Sequence, residues 1–201
     1  MVLDEIIRAV MQIIALSFVP FVSWIIAARK KEKFAAWVGL KKVAVAHRGR
    51  FIVGIAVGAL IAVAISFVLD SVLPKDIQPA NGRFADKGFT ALLPAMIFSF
   101  AATALPEEIF FRGFIGAKLS NRLGFAIGNT IQAILFGLLH GAAVFGAYEP
   151  QIPTLVIIFT GTMGWTMGYI NKKADGSIIP SICLHGASNL YSSILILFAL
   201  F

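Results

Sequence analysis

Apolar runs of about 18 residues or more return along the whole of this 201-residue chain, and that recurrence limits the environment in which it can fold. Each run is long enough to cross a hydrocarbon core of ~30 Å at ~1.5 Å per helical residue. A soluble helix keeps one polar face, and most of these runs have none. Composition agrees: 59% of residues are hydrophobic and 13% charged, where soluble domains carry about a quarter charged. The expected fold is an all-α integral membrane protein, a bundle of about six transmembrane helices at 9–28, 51–69, 89–117, 124–146, 154–170 and 178–200.

The net charge of +7 is gathered between spans rather than spread over a nucleic-acid-binding face. Eight basic residues fall in one segment: Arg29, Lys30, Lys31, Lys33, Lys41, Lys42, Arg48 and Arg50. Alternation of the spans adds Lys118, Arg122, Lys172 and Lys173 to the same side, against Glu32 and Asp175. The opposite side holds Arg8, Lys75, Arg83 and Lys87 with six acids. Twelve basic residues against four place the basic loops in the cytoplasm and both termini outside, with anionic lipid as a partner and nucleic acid excluded.

Within the basic segment, lysines interleave with Phe34, Trp37 and Leu40 over 32–45, predicting an amphipathic helix in the cytoplasmic interface. The 70–88 loop, with Pro74, Pro79 and Asn81-Gly82, divides the chain into 1–88, two N-terminal spans, and 89–201. The N-terminus lacks the basic region and cleavage site of a signal peptide, so the first run reads as a retained helix. Cys183 reads as a small packing residue, and the pairs Gly54/Gly58, Gly137/Gly141 and Gly164/Gly168 as close helix contacts.

A charge near the bilayer centre costs on the order of 2.5–3.5 kcal/mol, so the ionisable residues inside the spans are informative. They are Glu107, Glu108 and Arg112 on the third span, His140 on the fourth and His185 on the sixth. Glu108 and Arg112, four apart, can pair along one helix face, while Glu107 points ~100° away toward other helices. Pro106 removes a backbone hydrogen bond just before them. Asn129, Gln132, Phe136 and His140 form one polar stripe, and His185, Ser188, Asn189 and Ser192 another. Taken singly, each has a structural reading as an ion-pair clasp, a core histidine or interhelical glue. Converging on one interior, they point to chemistry.

A carboxylate and an imidazole sharing one water can remove its proton for attack on a carbonyl. A second histidine and an amide suit the oxyanion that forms. All five aspartates lie in loops, which excludes a two-aspartate membrane protease. No His-Glu-x-x-His and no Gly-x-Ser-x-Gly occurs. Water activated by Glu and His, with or without a metal, is what these residues allow.

The segments Glu107-Glu108-Ile-Phe-Phe-Arg112, Phe136-Gly-Leu-Leu-His140 and His185-Gly-Ala-Ser-Asn189 resemble the motifs of the CAAX-protease and bacteriocin-processing (CPBP, or Abi) family, which includes the type II CAAX prenyl endopeptidases. The resemblance covers roughly 89–201. It implies a glutamic-type intramembrane endopeptidase in which Glu107 and His140 hold the attacking water. It further implies that His185 and Asn189 stabilise the oxyanion and that Glu108, Arg112 and Phe136 support the site. A metal-independent site is favoured by the resemblance; zinc, if used, would have Glu107, His140 and His185 as ligands.

Counted inward from the cytoplasmic loops at ~1.5 Å per residue, Glu107 lies ~16 Å deep, His140 ~25 Å and His185 ~10 Å. These depths disagree, and the expected site is in the cytoplasmic half, open to that side. Prenylated peptides, bacteriocin or pheromone precursors and membrane-protein segments are all compatible substrates, and a prokaryotic plasma membrane is the expected location. The alternatives are a catalytically silent relative serving as an immunity or scaffold factor, and a small transporter, whose polar path the apolar runs at 154–170 and 190–201 do not continue.

Overall fold

The computed structural model describes residues 1–72 and 80–199, and six long helices account for most of them. They are α1 (Val2–Ala27), α3 (Arg48–Val72), α4 (Gly88–Leu123), α5 (Phe125–Val144), α6 (Gln151–Lys173) and α7 (Ile179–Leu197), with a single turn, α2 (Phe34–Trp37), between the first two. Four of them, α1, the Arg48–Ile65 stretch of α3, α4 and α5, are long and apolar enough to cross a membrane by length and composition. Together with α6 and α7 they make an all-α membrane bundle.

The basic loops come together at one end. Lys41 Nζ is 3.4 Å from Asp175 Oδ2, Lys118 Nζ sits 5.7 Å from the Trp37 ring centre, and Lys172 Nζ lies 4.2 Å above Phe125. The helix expected over 32–45 is here only the turn α2. It stops because Gly39 takes φ +84°, a left-handed conformation open to glycine, and the next residues bond to another part of the fold. The Ile178 N–H donates to the Gly39 carbonyl at 2.9 Å, and Ser177 Oγ donates to the Lys41 carbonyl at 2.7 Å. Val38 and Ile178 are buried against Ile109 as a small core at this end.

At the opposite end, the return into α4 is clasped to α1 and α7. Arg83 donates to both oxygens of the buried Glu5 carboxylate, at 2.6 and 2.7 Å, and stacks over Phe84 and Phe98. Asn81 Nδ2 donates to the hydroxyls of Ser192 and Ser193. The Pro74 and Pro79 expected to break the chain here lie outside the described residues. Cys183, expected to pack inside, is exposed on the outer surface of the bundle.

α4 runs unbroken through 118–123, where the sequence pattern suggested a loop, and Gly124 alone (φ +81°) turns the chain into α5. The helices then descend side by side. A Cβ on Gly128 would run into the backbone of Ser120, Gly116 is packed against Gln132, and the Arg112 guanidinium lies 4.1 Å above the Phe136 ring. Each pair sums to the same residue total, so the antiparallel register continues inward to set Glu108 level with His140. Around Pro106 the helix widens into π-helical turns at Ile97–Ala104 and Ile109–Gly116, flanking the α-helical Leu105–Glu108. Proline's missing N–H favours such a local departure from the i→i−4 ladder, and π turns recur at functional sites.

Candidate active site

α4 carries two adjacent carboxylates that face different partners. Glu108, fully buried, is 3.0 Å from Arg112 Nη1 through Oε1, and the same oxygen accepts from His185 Nδ1 at 3.0 Å. The i,i+4 pairing read from the sequence is therefore present, with His185 of α7 joined to it. Glu107 points across the bundle. Its Oε2 lies 4.0 Å from His140 Nε2 and 3.9 Å from His185 Nε2, and it is buried with no hydrogen-bond partner among the described residues.

Both imidazoles are oriented from behind. His140 Nδ1 donates to the Phe136 carbonyl at 2.9 Å, one helical turn back, which leaves Nε2 as the atom facing Glu107. His185 Nδ1 is held by Glu108 in the same way. Phe136 is the hub: its ring centre is 4.4 Å from that of His140, 6.0 Å from that of His185 and 5.1 Å from that of Phe111, with the Arg112 guanidinium on its face. The close approach of α7 to α4 depends on Gly186, where a Cβ would collide with the Phe100 ring, next to His185.

The two imidazoles line a pocket of about 210 Å³ between α3, α5, α6 and α7, and Glu107 stands next to it, across from both Nε2 atoms. His140, His185, Ser188, Asn189 and Ser192 form its polar side. Asn189, half-buried, is on this wall one turn beyond His185. Asn129 and Gln132, from the same stripe as His140, are not part of it. Asn129 Nδ2 donates to the Trp165 carbonyl at 3.0 Å and Gln132 Nε2 to the Gly164 carbonyl at 3.0 Å, so they tie α5 to α6. Behind Phe136, Arg112 lines a larger cavity of about 510 Å³ at the basic end, together with Gln132 and Asn171.

The structure thus brings together the seven residues to which the resemblance gives a role, Glu107, Glu108, Arg112, Phe136, His140, His185 and Asn189, and leaves Asn129 and Gln132 of the polar stripe outside. It adds Ser181, whose hydroxyl accepts from Asn171 Nδ2 at 2.7 Å beneath His185, and the α3 wall residues Ala62 and Ile65. Ala62 and Ile65 are apolar residues in an apolar run, and nothing in the sequence distinguishes them from lipid-facing neighbours.

Zinc is the metal this donor set could take in principle, since each histidine has Nδ1 held and Nε2 presented. Ligands at ~2.0–2.1 Å from a tetrahedral ion stand about 3.4 Å apart. The separations of 3.9 and 4.0 Å are wider, and no three such side chains among the described residues are placed to hold an ion. The residues as arranged do not fit zinc.

No curated protein and no solved structure matches the chain significantly. The family model for the type II CAAX prenyl endopeptidase, Rce1-like, matches residues 89–191, just over half of the chain, and takes in all seven residues above. By this match the chain, a membrane protein of helical build, belongs to the Rce1-like family of CAAX-type proteases.

Proposed function

We propose that the protein is an intramembrane endopeptidase that hydrolyses a peptide bond of a membrane-associated peptide, lipidated or precursor, with a water activated by Glu107 and His140. The observation that carries this reading is the unpartnered Glu107 Oε2 facing two imidazole Nε2 atoms at 3.9 and 4.0 Å. A water ~2 Å off the line joining Glu107 Oε2 and His140 Nε2 is ~2.8 Å from both, within hydrogen-bond range.

Glu107 takes a proton from that water while His140 Nε2 accepts its other hydrogen, and the oxygen attacks the scissile carbonyl. His185 Nε2 and the Asn189 amide donate to the oxyanion. The proton held by Glu107 then passes to the amide nitrogen, the C–N bond breaks, and the new acid gives its remaining proton to the departing amine, so that a carboxylate and an ammonium leave. For His185 to donate from Nε2 while Nδ1–H is held by Glu108, it must be an imidazolium. Glu108 and Arg112 act through His185, as positioning residues. No step is routed through a metal.

We further infer that the basic end faces the cytoplasm of a plasma membrane, with its lysines and arginines against anionic lipid. Domain 89–201 carries the chemistry.

The test is cleavage of a panel of fluorogenic, membrane-tethered peptides by the purified protein, with Glu107→Ala and Glu108→Ala alongside and with or without a chelator. Loss of cleavage in Glu107→Ala, with chelator having no effect, is the expected result. Loss with chelator and rescue by zinc would overturn the metal-free mechanism. If folded wild type cuts no member of the panel, the reading as a catalytically silent immunity or scaffold relative gains.

A further inference from the structure

The pocket beside Glu107 has two unlike sides. Opposite its polar wall stand Ala62 and Ile65 of α3 with Met163 and Met167 of α6. Ala62 and Ile65 are three apart and share one helix face, as do Met163 and Met167 at four apart. Ala62, Met163 and Met167 belong to one buried cluster, with Ile65 packed against it, so this wall is continuous with the core that fixes α3 to the bundle. A Cβ on Gly58, one turn earlier, would press on Leu184 and Ile170, which holds α3 close to α6 and α7 at this level. α3 lies outside residues 89–191, which the family model matches.

A peptide bond presented to the water between Glu107 and His140 must place a neighbouring side chain against some wall of the same pocket. The polar wall is committed to the reacting atoms, which leaves the apolar one. At about 210 Å³ in all, and with ~30 Å³ as the share of one water, the pocket has room for the attacking water and one aliphatic side chain. Methionines give that wall some adaptability, whereas Ala62 and Ile65 set its depth from a rigid helix.

We propose that Ala62 and Ile65 are specificity-determining residues: they select the side chain next to the scissile bond, admitting a branched aliphatic one and rejecting an aromatic one. This rests on the endopeptidase reading of the same site. A methylene more or less in an apolar pocket changes selectivity roughly 10–200-fold. Ile65→Ala deepens the wall, and Ala62→Leu fills it.

The experiment has two arms, chosen so that failure of the parent reading is distinguishable. In the first, N-palmitoylated fluorogenic peptides differing only at the residues flanking the cut (Ala, Leu or Phe) are compared by kcat/KM. Wild type is expected to favour Leu over Phe. Ile65→Ala should shift the Phe/Leu ratio upward at least about tenfold, and Ala62→Leu the Ala/Leu ratio upward by a similar factor. Ratios within twofold of wild type in variants that still cleave would overturn the proposal. In the second arm, the Leu peptide carries photo-leucine and is irradiated with Glu107→Gln protein, which needs no turnover. Label on α3 between Ala62 and Ile65 supports the proposal, and label absent from α3 overturns it. Label on α3 with no cleavage by wild type would leave the α3 contact standing and remove the endopeptidase reading instead.

Discussion

Two neighbouring glutamates on one turn of α4 should respond in opposite ways to the same isosteric change. Glu108→Gln removes the charge that faces Arg112 and His185 inside the bundle. Glu108 has no exposed surface, and the Arg112 side chain is 2% exposed, so the guanidinium would be left as an uncompensated buried charge. Breaking such a pair from one side costs about 3–5 kcal/mol. For a chain of this length each 1 kcal/mol moves Tm by ~2–4 °C, so Glu108→Gln should melt roughly 6–20 °C below wild type. Glu107→Gln gives up no hydrogen bond, because Oε2 has no partner to lose among the described residues. Its Tm should stay within ~4 °C, the shift for about 1 kcal/mol, while kcat falls by at least ~10²–10⁴ through loss of the base. Thermal unfolding in detergent, followed by tryptophan fluorescence, reads the first quantity, and peptide cleavage the second. A Glu107→Gln protein that melts as early as Glu108→Gln, or a Glu108→Gln protein that melts with wild type, would refute the division of roles between the two carboxylates.

Asn189→Ala should lower kcat by ~10²–10³ by removing one oxyanion donor, with Tm moving less than ~2 °C, as checked by cleavage and melting on one sample. Gly113→Ala places a Cβ against the Val38 carbonyl, a backbone group held by its own segment, so overpacking should cost about 1–3 kcal/mol and expose the 33–47 segment to limited proteolysis. Arg83→Met leaves the buried Glu5, at the end far from the basic loops, with only the more distant Arg8 at 3.9 Å. Since Arg83 is about a third exposed, the loss is discounted to roughly 1–3 kcal/mol, seen as a lower Tm with kcat per folded molecule unchanged.

The bundle was legible because each long apolar run has only one inexpensive conformation in a membrane: four of the expected spans coincide with helices to within three residues, while α1 begins seven residues earlier and α4 ends six later than expected. The site was legible for the converse reason: Glu107, Glu108, Arg112, His140 and His185 are costly there, and costly residues stand out in an apolar background. The 32–45 helix was read from lysine and aromatic spacing alone. The Gly39 and Lys41 carbonyls are claimed instead by Ile178 and Ser177, more than 130 residues away in sequence, and no local pattern announces such partners. The Glu5–Arg83 clasp was silent for the same reason, since one member looks like an ordinary first-turn acid and the other like a loop cation.

The depth conflict between Glu107 and His140 came from where the turn was placed. Taking 118–123 as a loop starts the count for α4 several residues too far in, while the count for α5 begins at its first residue. With α4 helical to Leu123 and a turn of one residue, Gly124, Glu107 is seventeen and His140 sixteen residues from the turn, ~24–26 Å along their helices. The hairpin therefore projects past the level at which Val38 and Ile178 pack on Gly113 and Ile109. Measured from that level, Glu107 is six residues inward from Gly113 and His185 seven from Ile178, each ~9–10 Å. Lys118 and Arg122 in the last turns of α4 are what made the segment look like a loop, yet they also suit a helix C-terminus, where cations meet the dipole favourably. The same charges serve both structures, and the glycine that follows is the only local sign of which one forms.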